Sequence, residues 1–347
     1  MTMELRNLGG SGVKVSALTL GTMTFGHGGD NLMGQVDGSA ARAMVDACLE
    51  AGINLFDTAD AYGQGQSEEI LGEALGDRRQ DVLVATKVNG RMGPHPNDNG
   101  QSRKHILEGC EASLRRLKTD YIDLYQVHTI DETTPMEETL RALDDLVREG
   151  KVRYIGCSNY SAWHLMKALS VSERRGFERY VTHQGYYSLV ARELEHELVP
   201  LCLDQGLGVL VWSPLAGGLL SGKQKRGEVP EKGTRRDWRG DTGTVDYDTA
   251  WATLDVLREI ADRREVSVAQ VSLNWLLRRP AVTSVIVGAR TQQQLEDNLK
   301  AATWELTPEE VQRLDRASAR PLPYPIWHQN KMNPGNLVYR QKEPDQY

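Results

Sequence analysis

Short apolar runs rich in β-branched residues alternate with longer segments of helical periodicity along most of the chain. The runs show little polar alternation, which is typical of parallel strands buried on both faces. They are Ala17–Leu20, Asn54–Thr58, Val82–Val88, Ile122–His128, Tyr154–Asn159, Tyr180–Gln184, Gly208–Pro214 and Thr283–Gly288. About eight strand–helix repeats predict an α/β fold, a (β/α)8 TIM barrel. An open doubly wound sheet with a second domain is the alternative.

The segments between the runs have apolar residues at helical spacing and several recognisable ends. Ser102 precedes one predicted helix, and Thr307-Pro308-Glu309-Glu310 begins another. Gly52 and Gly150 follow two more, at the position where a left-handed residue commonly ends a helix. The predicted helices include Ser39–Ala51, Ser67–Leu75, Ser102–Leu117, Pro135–Glu149, Ala162–Ser170, Arg192–Gln205 and Tyr247–Arg279.

The two ends of the chain depart from this alternation. Residues 4–16 predict a β-hairpin that precedes the first barrel strand and plugs the N-terminal mouth. The segments Gly222–Asp246 and Ala319–Tyr347 exceed normal connection lengths, and such long loops are usually functional or disordered. We therefore expect one domain over residues 1–347, with long loops on the C-terminal face and a tail at 319–347.

Composition and charge narrow the classes of partner. The chain has 347 residues, of which 39% are hydrophobic and 26% charged, as in soluble globular proteins. A net charge of −7 argues against a general nucleic-acid binder. The longest apolar stretch, Gly206–Ser221, is interrupted by Pro214 and too short to span a bilayer. Four cysteines without C-x-x-C spacing, and no apolar signal at the N-terminus, predict a cytoplasmic protein with neither disulfides nor a metal site.

Polar side chains follow the second, third and fourth runs. In a barrel, catalytic groups lie at the carboxyl ends of the strands and in the loops that follow. Asp57 ends the second run and Tyr62 follows it, Lys87 stands near the end of the third, and His128 ends the fourth. Each alone is commonplace, since a strand-end Asp is usually a turn former and a lone His usually structural. Because neighbouring strands open onto one mouth, we interpret the four together as a candidate catalytic set.

The chemistry available to such a set is specific. A phenol has an ordinary pKa of about 10 and is a poor proton donor near neutrality. A buried cation favours the phenolate, and Lys87 can supply that charge while Asp57 keeps the ammonium charged and oriented. A neutral imidazole from His128 can hydrogen-bond a substrate carbonyl oxygen. This suits protonation of an alkoxide, and since no side chain donates hydride, carbonyl reduction would require a nicotinamide cofactor.

The familiar nucleotide-binding motifs are incomplete. Gly63–Glu68 has Glu where a Rossmann fingerprint needs its third glycine, and Gly217–Gln224 has Gln where a P-loop needs Ser or Thr. The second stretch can still present backbone N–H groups to a phosphate. Over Gly222–Gly240, seven basic residues accompany three acidic ones, although a solvated loop would look the same. Arg290 stands where the last run leads into a helix, and a helix N-terminus favours a phosphate.

At this point the sequence resembles the aldo-keto reductases from about Leu8 to Asn298. The resemblance rests on several motifs that stand in the family's order: Leu20–Gly26, Phe56–Gly63 with Ser67-Glu68 and Leu71-Gly72, Tyr121–His128, Gly150–Asn159, Trp212–Gly218, and Ile286–Arg290 with Gln294 and Asn298. The pattern is most similar to the bacterial and the potassium-channel β-subunit-like branches. It implies a catalytic tetrad of Asp57, Tyr62, Lys87 and His128, with Tyr62 as general acid.

The resemblance also implies NADPH/NADP+ as the cofactor. The residues implied at the nicotinamide are Ser158, Asn159, Gln184 and, stacked on the ring, Trp212. Those implied along the pyrophosphate are Ser213, Leu215, Gly217 and Lys223. Those implied at the 2′-phosphate and adenine are Gly288, Arg290, Gln294 and Asn298. One departure is Asp297, where the family commonly has Glu, so the preference for NADPH depends mainly on Arg290.

Substrate choice is expected to depend on loops around the mouth. The candidate substrate-binding residues are Met23, Phe25, Asn89, Trp238 and Trp327, and for each the alternative is ordinary loop packing. We expect a small-molecule carbonyl substrate, with no nucleic-acid partner and no membrane insertion.

Three functions are compatible with the sequence. The leading hypothesis is an NADPH-dependent carbonyl reductase that also runs in the direction of alcohol oxidation. A second is a cofactor-bound regulatory or interaction subunit with little turnover, since channel-associated relatives share these motifs. A third is a glycosidase that uses Asp57 and Asp60 as paired carboxylates, which would leave Tyr62, Lys87 and His128 unexplained.

Overall fold

All eight apolar runs form strands of one closed parallel barrel in the computed structural model, which describes residues 3–27, 35–227 and 245–333. The barrel strands, in chain order and in spatial order, are β3 Leu18–Gly21, β4 Leu55–Asp57, β5 Leu83–Val88, β6 Ile122–Val127, β7 Val152–Ser158, β8 Tyr180–Tyr186, β9 Gly208–Trp212 and β10 Val282–Val287. β10 pairs with β3 and closes the barrel. The predicted (β/α)8 architecture is therefore confirmed, and the open-sheet alternative is wrong.

Helices surround the barrel. They are α1 Gly38–Glu50, α2 Gln66–Leu75, α3 Arg103–Leu117, α4 Met136–Arg148, α5 Ala162–Arg175, α6 Leu198–Gln205, α7 Tyr247–Arg264, α8 Val268–Leu277, α9 Gln292–Leu299, α10 Pro308–Ala317 and α11 Ile326–Met332. Within the described parts of the chain, no helix is both long and apolar enough to cross a membrane.

The helix ends largely follow the sequence signals. Ser102 Oγ accepts a hydrogen bond from the His105 backbone N–H, and Thr307 forms a capping box with Glu310. The single helix predicted over Tyr247–Arg279 is wrong: α7 and α8 are separate. Glu265 takes a left-handed conformation with φ 54°, which ends α7, and Ser267 then caps α8 by accepting from the Gln270 N–H.

The N-terminal hairpin closes one end of the barrel, as the sequence predicts. β1 Leu5–Asn7 pairs antiparallel with β2 Lys14–Ser16. Leu8 and Val15 pack in one buried cluster with residues that line the barrel interior: Leu55, Ala85, Leu124, Leu210 and Ile286. This hairpin cluster is apolar and fills the N-terminal mouth, so the polar chemistry is confined to the opposite mouth.

The hairpin fits closely against the barrel at Gly9. Its φ is 57°, and a Cβ at this position would lie 2.2 Å from the Val181 backbone oxygen and 2.8 Å from the Gly208 nitrogen. Gly10 N–H also donates to the Gly206 oxygen over 2.6 Å. Backbone atoms cannot move aside as a flexible side chain can, so Gly9 is required by both conformation and space.

We predict that Gly9→Ala lowers the free energy of unfolding by about 2–4 kcal/mol, through backbone strain and overpacking. Gly12→Ala is the matched control in the same turn, because a Cβ there would meet no heavy atom within 4 Å. The control should change stability by no more than about 0.5 kcal/mol. Urea denaturation, analysed with one m-value for both variants, measures their free energies of unfolding. Equal denaturation midpoints for Gly9→Ala and Gly12→Ala would contradict the structural requirement for Gly9.

Candidate active site

A buried ion pair lies at the carboxyl end of the barrel. Asp57 ends β4 and Lys87 lies near the end of β5, with relative exposures of 3% and 0%. Lys87 Nζ donates to Asp57 Oδ2 over 2.6 Å and to the Thr58 backbone oxygen over 2.8 Å. From across the barrel, Gln184 Nε2 donates to Asp57 Oδ1 over 2.7 Å. Both carboxylate oxygens thus have donors, which is the condition for keeping a charge buried.

The ammonium of Lys87 remains charged in this environment. Burial by itself works to lower its pKa, but the charge of Asp57 and the interaction with Tyr62 outweigh it and raise the pKa above the ordinary value. The site therefore contains a permanent positive charge at physiological pH. That charge lies 5.2 Å from the centre of the Tyr62 ring.

Tyr62 and His128 complete the group. Tyr62 begins a short turn, Tyr62–Gly65, in which Gly63 and Gln64 have φ values of 58° and 57°. Its ring meets that of His128 edge to face, with centroids 5.7 Å apart and planes at 77°. Burial and the nearby Lys87 charge lower the pKa of His128 to about 3, so the imidazole is neutral. The structure thus brings Asp57, Tyr62, Lys87 and His128 together at one mouth.

A buried polar network lies beneath the Tyr62 turn. Glu68 has no exposed surface and accepts hydrogen bonds from Arg116 Nε, over 2.6 Å, and from the Thr86 hydroxyl. A Cβ at Gly65 would lie 2.6 Å from Arg116 Cδ, so the turn passes directly over this arginine. Asp60 is also buried, and burial together with the charge of Glu68 raises its pKa to about 7. The network supports the turn from below, and the sequence pattern does not predict it.

The residues expected at the nicotinamide form a connected group on β7, β8 and β9. Asn159, in a left-handed conformation with φ 55°, donates from Nδ2 to the His128 oxygen over 2.9 Å and accepts from Trp212 Nε1 over 3.1 Å. Ser158 Oγ donates to the Gln184 oxygen over 3.0 Å. Two of these four predicted cofactor residues contact the tetrad, Gln184 at Asp57 and Asn159 at His128, and the other two join the group through them.

Tyr186 belongs to the same group and was missed. Its ring stacks on Trp212 with centroids 4.8 Å apart and planes at 22°. The sequence pattern ends this strand at Gln184, but β8 continues for two more residues and pairs Tyr186 with Trp212 on β9. Applying the strand-end rule to the true end of β8 would have found it.

The loop after β9 has an unusual backbone. Ser213, Ala216, Gly217 and Gly218 have φ values of 53°, 49°, 67° and 100°. Ser213 Oγ accepts from the Gly217 N–H over 3.3 Å, while Leu215 is partly buried and Lys223 is exposed. Turns of this kind can form concave backbone surfaces that suit anions, but here the N–H groups of Ala216 and Gly218 donate within the loop, to the Ser213 and Leu215 oxygens over 2.9 Å each. Most of the basic segment that follows, including Trp238, lies outside the described residues.

A second candidate anion site lies where β10 leads into α9. The Arg290 N–H donates to Gln294 Oε1 over 3.0 Å, and Asn298 Nδ2 donates to the Gly288 oxygen over 3.5 Å. Asp297 faces α8 instead: its oxygens accept from Ser267 Oγ over 2.6 Å and Gln270 Nε2 over 2.7 Å. The carboxylate of Asp297, which is shorter than that of the family's Glu, therefore hydrogen-bonds to residues at the start of α8.

The candidate substrate residues have different environments. Phe25 has 0% exposure and belongs to the hydrophobic core, so its ring offers no surface to a substrate. Met23 is partly exposed, and Asn89 Oδ1 accepts from Gln101 Nε2 over 3.3 Å. Trp327 is 47% exposed on α11 and lies beside Tyr324 and His328 of the tail.

Comparison with known proteins gives a consistent picture. The family profile for the aldo/keto reductase family matches residues 17–319. A probable voltage-gated potassium channel subunit beta of Oryza sativa subsp. japonica is 39% identical over 322 residues, which cover 90% of this chain and 96% of that protein. An uncharacterized oxidoreductase of Bacillus subtilis, YrpG, is 41% identical over 325 residues, covering 90% and 95%. The versiconal hemiacetal acetate reductase of Aspergillus parasiticus is 36% identical over 334 residues, covering 90% and 96%. The chain belongs to the aldo/keto reductase family.

Proposed function

We propose that the protein catalyses NADPH-dependent reduction of an aldehyde or ketone to an alcohol, and the reverse oxidation. Membership of the aldo/keto reductase family and the reductase among its relatives support carbonyl reduction in general. The observation that carries the specific proposal is the buried ammonium of Lys87, held by Asp57 at 2.6 Å and lying 5.2 Å from the Tyr62 ring.

In this proposal the residues of the tetrad move and stabilise one proton. NADPH, when bound, supplies hydride to the carbonyl carbon. The Tyr62 hydroxyl donates its proton to the oxygen of the developing alkoxide, and the Lys87 ammonium stabilises the phenolate that is left. Neutral His128 donates a hydrogen bond to the substrate oxygen and orients it toward Tyr62. In alcohol oxidation the Tyr62 phenolate takes the proton back.

The residues present fit a dinucleotide. A Cβ at Gly218 would meet no heavy atom within 4 Å, so the backbone of the loop at Ala216–Gly218 leaves room for a pyrophosphate. Ser158, Asn159 and Gln184 supply amide and hydroxyl groups that could hold the carboxamide beside the tetrad. Ser213, Leu215, Gly217 and Lys223 would hold the pyrophosphate. Arg290 would contact the 2′-phosphate, with Gly288, Gln294 and Asn298 beside the adenosine.

A regulatory subunit with little turnover is the second candidate, because three relatives are named as probable or putative voltage-gated potassium channel subunits beta. Negligible reduction across aldehydes, ketones and sugars, followed by NADPH absorbance, together with a stable membrane-protein complex in pull-downs, would favour it. The glycosidase alternative has no support: both oxygens of Asp57 are hydrogen-bonded to Lys87 and Gln184, and Asp60 is buried beside Glu68.

We predict that Tyr62→Phe lowers kcat by about 10²–10⁴-fold, because it removes the proton donor alone. NADPH affinity, followed by fluorescence, should change by less than about twofold. Tyr154→Phe is the matched control, since Tyr154 packs against the hairpin cluster at the other end of the barrel. Undiminished reduction by Tyr62→Phe would refute the proton-donor assignment.

We predict that Arg290→Ala weakens NADPH binding by about 10- to 100-fold, the value of a charged hydrogen bond to phosphate. NADH lacks the 2′-phosphate, so its Kd should change by less than about threefold. Arg174→Ala, at an exposed position on α5, is the control and should affect neither cofactor. Titration of both nucleotides measures this, and equal losses for NADPH and NADH would count against recognition of the 2′-phosphate.

A further inference from the structure

Gln101 is a buried amide that joins three loops above the tetrad. It has 1% exposure and stands directly before the Ser102 cap of α3. Its Nε2 donates to the Thr129 backbone oxygen and, over 3.3 Å, to Asn89 Oδ1. Its Oε1 accepts from the Tyr160 hydroxyl over 3.1 Å. The loops that follow β5, β6 and β7 therefore meet at one side chain.

The backbone of Gln101 is held as firmly as its side chain. Its N–H donates to Asp131 Oδ2 over 2.9 Å, and its carbonyl accepts from Thr139 Oγ1 of α4 over 3.1 Å. These two hydrogen bonds anchor the Gln101 backbone to Asp131 and to α4. The side-chain amide sets the positions of Thr129, Asn89 and Tyr160 relative to α3 and α4.

These contacts lie next to His128. The His128 N–H donates to the Val88 oxygen over 2.9 Å, and its carbonyl accepts from Asn159 Nδ2 over 2.9 Å. The next carbonyl along the chain, that of Thr129, accepts from Gln101. The loop that carries the imidazole is thus fixed on both sides, with the ring edge to face with Tyr62.

We propose that Gln101 is the positioning residue for His128: its side-chain amide fixes the loop that holds the imidazole against Tyr62 and the substrate oxygen. This rests on the proposed carbonyl reduction, in which His128 orients the substrate. A displacement of about 1 Å in an orienting group can cost about 100-fold in rate. Gln101 acts through the Thr129 carbonyl and touches no reacting atom.

The first test compares Gln101→Leu with Thr139→Val. The first removes the amide, while the second removes one buried hydrogen bond to the carbonyl of the same residue. We expect Gln101→Leu to lower kcat for an aldehyde such as 4-nitrobenzaldehyde by about 10- to 100-fold, with NADPH affinity within about threefold of wild type. Thr139→Val should lower Tm but leave kcat and KM within about twofold. An equal fall in kcat in the two variants would mean that Gln101 has only a structural role, and it would overturn the proposal.

Gln101→Glu adds a readout that a structural role would not move. When protonated, the introduced carboxyl keeps one O–H donor for the Thr129 oxygen; when ionised, it has none and repels that oxygen. Its kcat should approach wild type at low pH and fall as pH rises. Two titratable residues bond to Gln101, Asp131 at its N–H and Tyr160 at its Oε1, and His164 packs against Tyr160; wild type and Gln101→Leu contain all three. A pH profile parallel to that of Gln101→Leu would contradict the proposal.

A third measurement does not depend on activity. In protein with 13C-labelled histidine, the His128 ring signal, assigned with His128→Asn, should move in Gln101→Leu and stay in place in Thr139→Val. If wild type reduces no carbonyl, the proposed function fails, yet this signal still tests the positioning claim. An unmoved His128 signal in Gln101→Leu would overturn it.

Discussion

The buried pair of Asp57 and Lys87 is the interaction on which the rest of the site depends. Neither side chain has appreciable exposure, so each would be costly to bury alone, and removing one partner of such a pair typically costs about 3–5 kcal/mol. The cost is offset because every oxygen of the carboxylate has a donor, from Lys87 or from Gln184 across the barrel. The same contacts leave a positive charge 5.2 Å from the Tyr62 ring, and in the proposed mechanism this charge provides the electrostatics for proton transfer.

The apolar hairpin cluster and the candidate catalytic residues lie at opposite ends of the barrel axis. At one end Leu8 and Val15 of the hairpin close an apolar cluster, and at the other end polar groups emerge from successive strands. Three sets of hydrogen-bonded contacts then support the candidate catalytic residues from outside the site. The Glu68–Arg116 pair lies under the Tyr62 turn, Asn159 ties His128 to Trp212, and Gln101 ties the His128 loop to its neighbours. Each support is a hydrogen-bonded contact between segments far apart in sequence, which is how a site on loops gains the rigidity that orientation requires.

The sequence predicted what depends on local pattern. The barrel strands are short apolar runs bounded by turns, and the position of catalytic groups at strand ends predicts that Asp57, Lys87 and His128 lie around one mouth. It did not predict what depends on side-chain direction or tertiary contact. Phe25 follows a strand end but turns into the core, and Glu265 breaks a continuous helical pattern by adopting a left-handed backbone. Tyr186 was missed because β8 runs two residues past its apolar part. Nothing in composition or spacing distinguishes Gln101, whose partners come from three loops.

The central claim is that the Lys87 charge makes Tyr62 an effective proton donor, and the single-turnover rate of Lys87→Met tests it most directly. The variant is loaded with NADPH, mixed with excess aldehyde and followed by NADPH absorbance; Asp57→Asn/Lys87→Met, which removes both charges, controls for an unpaired carboxylate. We expect a rate about 10²–10⁴-fold below wild type in both variants, with the double variant no slower than the single one. A Lys87→Met rate within about tenfold of wild type would contradict it.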